Sequence, residues 1–105
     1  MDTIQEVDFE QRVKQSKKVV LVDFFAVWCG PCKMLGPILE DVYSQLDQEK
    51  FDIVKVNIDE CEDLARNFGV MSVPTMIVFK NGEEVDRMVG LRQKTQILDA
   101  LNSKI

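Results

Sequence analysis

Two hydrophobic patterns alternate along the chain. Unbroken apolar or β-branched stretches are typical of strands covered on both faces of a sheet, and they predict strands over Val19–Ala26, Phe51–Ile58 and Thr75–Phe79. Apolar residues three or four positions apart predict one face of a helix. After Cys32 this spacing is followed by Leu35, Ile38, Leu39, Val42, Tyr43 and Leu46. The chain is therefore expected to alternate strands with helices.

Cap residues set the expected ends of the other helices. Asp8 is the expected cap of a first helix that runs to about Lys14. Asp59 and Glu62 have capping-box spacing at the start of another helix, which Gly69 would end in the left-handed conformation.

The C-terminal third of the chain predicts a hairpin and a helix. Asn81–Gly82 favours a tight turn into an antiparallel strand, Glu83–Val89. A last amphipathic helix is expected over Thr95–Ile105, with an inward face formed by Ile97, Leu98, Leu101 and Ile105.

The order of elements predicts a three-layer α/β fold. With a weak strand at the N-terminus, the order is β-α-β-α-β-α-β-β-α, which gives five strands and four helices. Alternation through the middle implies parallel strands, and the hairpin adds an antiparallel edge to make a mixed sheet. Because the chain has 105 residues, we expect one domain over residues 1–105.

Composition and charge exclude several classes of function. The 13 basic and 18 acidic residues give a net charge of -5, which disfavours nucleic acid and anionic membrane surfaces as partners. Histidine is absent, so Cys–His and Ser–His catalysis are excluded. No apolar run is long enough to span a bilayer and the first residues do not resemble a signal peptide, so we expect a cytoplasmic protein.

The chemistry is expected at Cys29 and Cys32, which are two residues apart between a strand and a helix. Open α/β sheets place functional sites at the carboxyl ends of their strands. The amino end of a helix stabilises anions, so we expect a lowered pKa at Cys29, which would attack a disulfide as a thiolate. Cys32, one turn further on, would then resolve the mixed disulfide.

Two other interpretations of this pair remain open. The cysteines could be a reduced pair that only packs, or half of a zinc site, although only Cys61 is left as a further cysteine ligand. Cys61 itself lies on an apolar helix face and is expected to be structural, with a regulatory thiol as the alternative.

Asp23 interrupts an apolar run. A lone buried carboxyl has a raised pKa, so Asp23 is expected to accept and donate a proton for Cys32, with an exposed position on an edge strand as the alternative. Lys55 in the next strand is its candidate partner, or else a lysine that reaches solvent.

Trp28 and Pro74 are the remaining candidates near the site. Trp28, the only tryptophan, is either a core residue or a half-exposed ring that contacts a partner. Pro74 is expected at the start of a strand, and the sequence does not give its isomer.

These residues resemble the thioredoxin family over Met1–Ile105. The specific match is Trp28-Cys29-Gly30-Pro31-Cys32, within the segment Phe24–Lys33; Val73-Pro74-Thr75 is similar to the family's cis-proline segment. Asn81-Gly82 and Gly90 also match. Phe25 and Val27 depart from the pattern, since many members have a tryptophan and a polar residue there.

The resemblance implies a protein-disulfide reductase that is monomeric and is itself reduced by a thioredoxin reductase. No cofactor would be bound, and NADPH would be used only through the reductase. Cys29, Cys32, Asp23 and Lys55 match the family's catalytic positions, and Pro74 its cis-proline. The implied contact surface for oxidised proteins consists of Trp28, Gly30, Pro31, Ile58, Val73, Pro74, Val89, Gly90 and Leu91.

Two competing functions stay open at this point. A non-catalytic binding module would dock a larger partner through the apolar surface even without Cys29 and Cys32. A metal-binding protein would contain stoichiometric zinc or iron.

Overall fold

The computed structural model describes all 105 residues, Met1 to Ile105. Four helices and four strands follow one another, and a π-helical turn at Glu10–Lys14 extends the first helix. In chain order they are α1 (Glu6–Phe9), β1 (Val19–Phe25), α2 (Gly30–Gln45), β2 (Phe51–Asn57), α3 (Glu62–Asn67), β3 (Thr75–Lys80), β4 (Glu83–Val89) and α4 (Lys94–Asn102). No helix is long and apolar enough to cross a membrane.

The strands form one mixed sheet in the order β2-β1-β3-β4. β1 is parallel to β2 and antiparallel to β3, and β3 is antiparallel to β4. The fold is α/β with four helices, as predicted.

The expected fifth strand at the N-terminus is reduced to a single bridge. Thr3 pairs in parallel with Lys55, and the amide of Ile4 donates to the Lys55 carbonyl at 2.8 Å. The extended segment is short because Gln5 already caps α1: its amide donates to the Asp8 carboxylate at 3.0 Å. The prediction that Asp8 is itself the cap was therefore wrong.

The direction of β3 also differs from the parallel order expected for the middle of the chain. α3 has six residues and spans about 9 Å, whereas a seven-residue strand spans about 23 Å. The helix is too short to return the chain to the start of the sheet. β3 therefore enters beside the carboxyl end of β1, where Thr75 pairs with Phe24.

Alternate residues of β1 serve two separate cores. Val19 and Leu21 pack with α2 and α4 on one face, whereas Val20, Val22 and Phe24 pack with the first helix and α3 on the other. Asp23 has the parity of Val19 and Leu21, which places it on the α2 face.

The turn predictions were correct, whereas the predicted end of the last helix was not. Asn81, Gly82 and Gly69 all have positive φ, as a tight hairpin turn and a left-handed helix end require. α4 ends at Asn102, so Ile105 leaves the helical period and is 64% exposed rather than inward.

Candidate active site

The two cysteines lie where β1 gives way to α2. Cys29 is the residue before the helix, in an extended conformation, and Cys32 lies in its first turn. They form a disulfide with Cα atoms 5.3 Å apart. Pro31 occupies the first turn, where an amide donor is not needed. The two sulfurs therefore meet at the start of the helix, and Pro31 lies where the helix loses no hydrogen bond by it.

The sulfur of Cys29 lies against two backbone groups. The amide of Cys32 donates to it at 3.1 Å. The carbonyl oxygen of Val73 lies 3.6 Å from the same sulfur. Cys29 is only 5% exposed, so an incoming sulfur has a narrow approach.

The segment before β3 closes the site. The Val73–Pro74 peptide bond is cis. The Pro74 carbonyl accepts the amide of Gly90 at 2.8 Å, which brings the end of β4 to the same place. Ile58 and Val73 pack against the cysteine pair. Segments far apart in the chain thus meet around one disulfide.

Trp28 is an exposed ring and not part of the core, with 67% of its surface accessible. Its indole Nε1 donates to Asp59 Oδ2 at 2.9 Å. Asp59 was expected to cap α3, but α3 begins at Glu62 with no side-chain cap. One indication of this contact was present in the sequence. Asp59 comes shortly after β2, and because β1 and β2 are parallel neighbours, a residue after β2 lies beside the end of β1.

Asp23 is buried in the middle of a central strand, so the exposed edge position is wrong. It is 1% exposed, and neither carboxylate oxygen has a hydrogen-bond partner. Burial raises its pKa to about 6, and the Lys55 ammonium offsets part of that rise. The environment therefore favours a carboxyl that titrates close to neutral pH.

Lys55 is paired with Asp23 in register but not by an ion pair. Its Nζ lies 4.8 Å from the centroid of the Phe25 ring, a cation–π distance. A groove of about 350 Å³ runs beside it, lined by Phe25, Ala26, Val27, Cys32, Lys33, Gly36 and Lys55. Lys55 and the resolving-cysteine candidate Cys32 therefore line the same surface groove.

The other predicted contact residues form the rim of the site. Gly30 and Pro31 are exposed beside the disulfide, and Val89 and Leu91 are exposed at the end of the sheet. The contact surface implied by the resemblance is therefore open at these positions, whereas Pro74 is buried.

Cys61 lies apart from this site. It is a free thiol in the core on the opposite face of the sheet, with Sγ 4.0 Å from the Ile4 carbonyl oxygen. Burial raises its pKa, and the neighbouring Glu6 carboxylate raises it further. The structure contains no group of three or more Cys, Asp or Glu that could hold a metal ion.

Known proteins share both this sequence and this architecture. The family model described as Thioredoxin matches residues 1–103. The chain belongs to the thioredoxin family. A thioredoxin from Rickettsia typhi is 43% identical over 105 residues, with 100% of this chain and 99% of the relative covered. One from Staphylococcus epidermidis is 42% identical over 102 residues, with 97% and 95% covered.

A solved structure supports the same assignment. A mutant thioredoxin from Halobacterium salinarum NRC-1 superposes with a TM-score of 0.87 at 34% identity, over 98% of this chain and 88% of that one. With the disulfide between Cys29 and Cys32, membership of the thioredoxin family makes the chain a thiol–disulfide oxidoreductase.

Proposed function

We propose that the chain reduces disulfides in other proteins, with Cys29 as the attacking and Cys32 as the resolving thiol. The carrying observation is the cysteine pair at the start of α2, where the Cys32 amide donates to Cys29 Sγ. An amide donor and the positive end of a helix stabilise a thiolate, which is the attacking species in disulfide exchange. In the reduced protein, this favours the anion at Cys29.

The cycle consists of two exchanges. The Cys29 thiolate attacks one sulfur of the substrate disulfide; a mixed disulfide forms, and the other substrate sulfur leaves as a thiolate that takes a proton. Cys32 then loses its proton and attacks Cys29 Sγ. The bond to the substrate breaks, the second substrate thiol is released, and the Cys29–Cys32 disulfide remains. The substrate gains two electrons and the chain loses two.

Asp23 is proposed to accept the proton of Cys32. It lies on the α2 face of β1 and has no competing hydrogen bond. Its raised pKa of about 6 keeps proton exchange accessible near neutral pH. Lys55, in register beside it and on the groove that Cys32 also lines, is proposed to moderate this titration.

The substrate is proposed to dock on the rim of the disulfide. The packing of Ile58 and Val73 on the cysteines and the exposure of Trp28 support this. The complete proposed surface is Trp28, Gly30, Pro31, Ile58, Val73, Pro74, Val89, Gly90 and Leu91.

Electrons are proposed to come from NADPH through a thioredoxin reductase, with no cofactor bound to this chain. A cytoplasmic monomer suits this role, because dithiols are kept reduced in that compartment.

The test measures NADPH consumption with a thioredoxin reductase and insulin as the protein disulfide. The wild-type chain should turn over. Cys29→Ser should abolish turnover because the attacking sulfur is lost, and Cys32→Ser should trap a mixed disulfide with insulin that is visible by mass spectrometry. Cys61→Ser is the matched control and should retain wild-type turnover, since this thiol lies in the opposite core.

Undiminished turnover by Cys29→Ser would refute the mechanism. A parallel assay with dithiothreitol in place of the reductase separates the two parts of the proposal. Activity with dithiothreitol but none with the reductase would reject only the proposed electron donor.

A further inference from the structure

The exposed Trp28 ring has one directional anchor. Two-thirds of its surface is accessible, and the aromatic contacts of the molecule are all between phenylalanines. Packing alone therefore fixes the orientation of the ring weakly. The hydrogen bond from Nε1 to Asp59 Oδ2, at 2.9 Å, supplies the missing constraint from a residue 31 positions away.

Asp59 is itself held by the loop that follows β2. Its amide donates to the side-chain oxygen of Asn57 at 2.9 Å, and Asn57 is buried. The Asn57 carbonyl accepts the amides of Glu60 and Cys61 at 3.2 and 2.9 Å. The amide of Ile58 donates to the Phe25 carbonyl at 2.9 Å, which ties this loop to the end of β1. Asp59 therefore offers its carboxylate from a fixed position.

We propose that Asp59 is a positioning residue for substrate docking: it holds the Trp28 indole in a fixed orientation next to Cys29, so that a protein substrate meets an ordered aromatic surface. This rests on the proposed function, in which Trp28 contacts the substrate. An aromatic side chain that is already ordered loses little further conformational entropy when a partner binds. Loss of the anchor should therefore weaken docking and leave the exchange chemistry at Cys29 intact.

The test compares Asp59→Ala, Asp59→Asn and Glu60→Ala. Alanine removes the acceptor, whereas asparagine keeps an oxygen that can accept from Nε1. Glu60→Ala removes a neighbouring exposed carboxylate and serves as the matched control for charge. Because Trp28 is the only tryptophan, its fluorescence reports this ring alone.

Two measurements are expected to separate the variants. Asp59→Ala should lower the fluorescence anisotropy of Trp28 and increase its quenching by acrylamide. With insulin as substrate, it should raise KM about three- to tenfold, the range set by one lost hydrogen bond, and leave kcat within about twofold. With bis(hydroxyethyl) disulfide, which is too small to cover the ring, it should match the wild type. Asp59→Asn and Glu60→Ala should both stay close to the wild type.

Three results would overturn the role of Asp59. They are an unaltered KM and quenching in Asp59→Ala, an equal KM increase in Glu60→Ala, and an equal loss with the small disulfide. A wild-type chain that reduces neither disulfide would instead reject the proposed function, and the fluorescence arm would still test the anchor. The two failures are therefore distinguishable.

Discussion

At the scale of single residues, Asp23 is the residue of the sheet whose burial least favours folding. A buried carboxylate without a hydrogen bond is unfavourable, and Asp23 has none on either oxygen. Lys55 offsets this only partly, because its ammonium faces the Phe25 ring. Such a residue is expected where proton transfer matters more than stability.

Asp23 should make the fold less stable as pH rises from about 4 to about 6. Its pKa is about 6 when folded and 3.8 as the ordinary value. The folded chain therefore binds more protons than the unfolded chain in this window, and the free energy of unfolding falls as the proton is lost. A gap of about two pKa units corresponds to about 3 kcal/mol, present as destabilisation above pH 6.

Urea unfolding of the oxidised protein at pH 4 and pH 7 measures this effect. Asp23→Asn has no titratable group there, so its free energy of unfolding should lack the fall of about 3 kcal/mol. Asp99→Asn, on the exposed side of α4, should keep it. Parallel pH profiles for Asp23→Asn and the wild type would contradict the assignment.

Predictions about single residues were correct where the sequence of one strand was enough to make them. The apolar neighbours of Asp23 were sufficient to predict its burial. The Trp28–Asp59 hydrogen bond was out of reach, because it joins residues 31 positions apart and Asp59 looked like a helix cap. The contact between the Lys55 ammonium and the Phe25 ring was not predicted either, because strand pairing does not show which neighbour a long side chain contacts.

At the scale of elements, the hairpin turn between β3 and β4 is locked against the end of the first helical segment. Gly82 has φ of +79°, and a Cβ atom there would lie 2.7 Å from the Lys14 carbonyl oxygen. Gly69 has φ of +65°, with no atom within 4 Å of the same position. The two glycines share a conformation and differ in their surroundings.

Alanine substitutions at these two glycines distinguish the cost of backbone strain from the cost of steric conflict. Gly69→Ala should lower the free energy of unfolding by about 1 kcal/mol, the cost of a left-handed alanine. Gly82→Ala should lower it by about 2–4 kcal/mol, since the Lys14 backbone must also move. Denaturant unfolding of both variants measures the difference, and equal losses would show that the contact with Lys14 is unimportant.

Elements were predicted well where hydrophobic runs were long. β1 ends at Phe25, one residue before its expected end, and α2 ends at Gln45, one residue before the last apolar position of its predicted stripe. The direction of β3 was predicted wrongly, as parallel, because it depends on the length of α3. Helix ends are poorly marked when the apparent cap, Asp59, binds elsewhere.

At the scale of the whole molecule, the sheet separates two cores. The disulfide lies at one end of the sheet, while Cys61 is enclosed on the α1 and α3 face with 1% of its surface exposed. In the oxidised protein it is the only free thiol. Its reactivity therefore reports the opening of that core.

Alkylation of the oxidised protein with iodoacetamide should be slow at Cys61. We expect a rate at least about a thousandfold below that in urea, because the folded population dominates and a raised pKa leaves little thiolate. Mass spectrometry should find a single label, and none in oxidised Cys61→Ser. A rate within tenfold of that in urea would mean that α3 opens without global unfolding.

The low exposure of Cys29 limits how many partners can react with the chain at one time. Only 5% of this residue is accessible, and in the proposed cycle every partner must reach this sulfur. A donor of electrons and an acceptor of electrons therefore cannot occupy the chain at once. If the chain works as proposed, its partners bind one after another, and the slowest dissociation limits the overall rate of electron transfer.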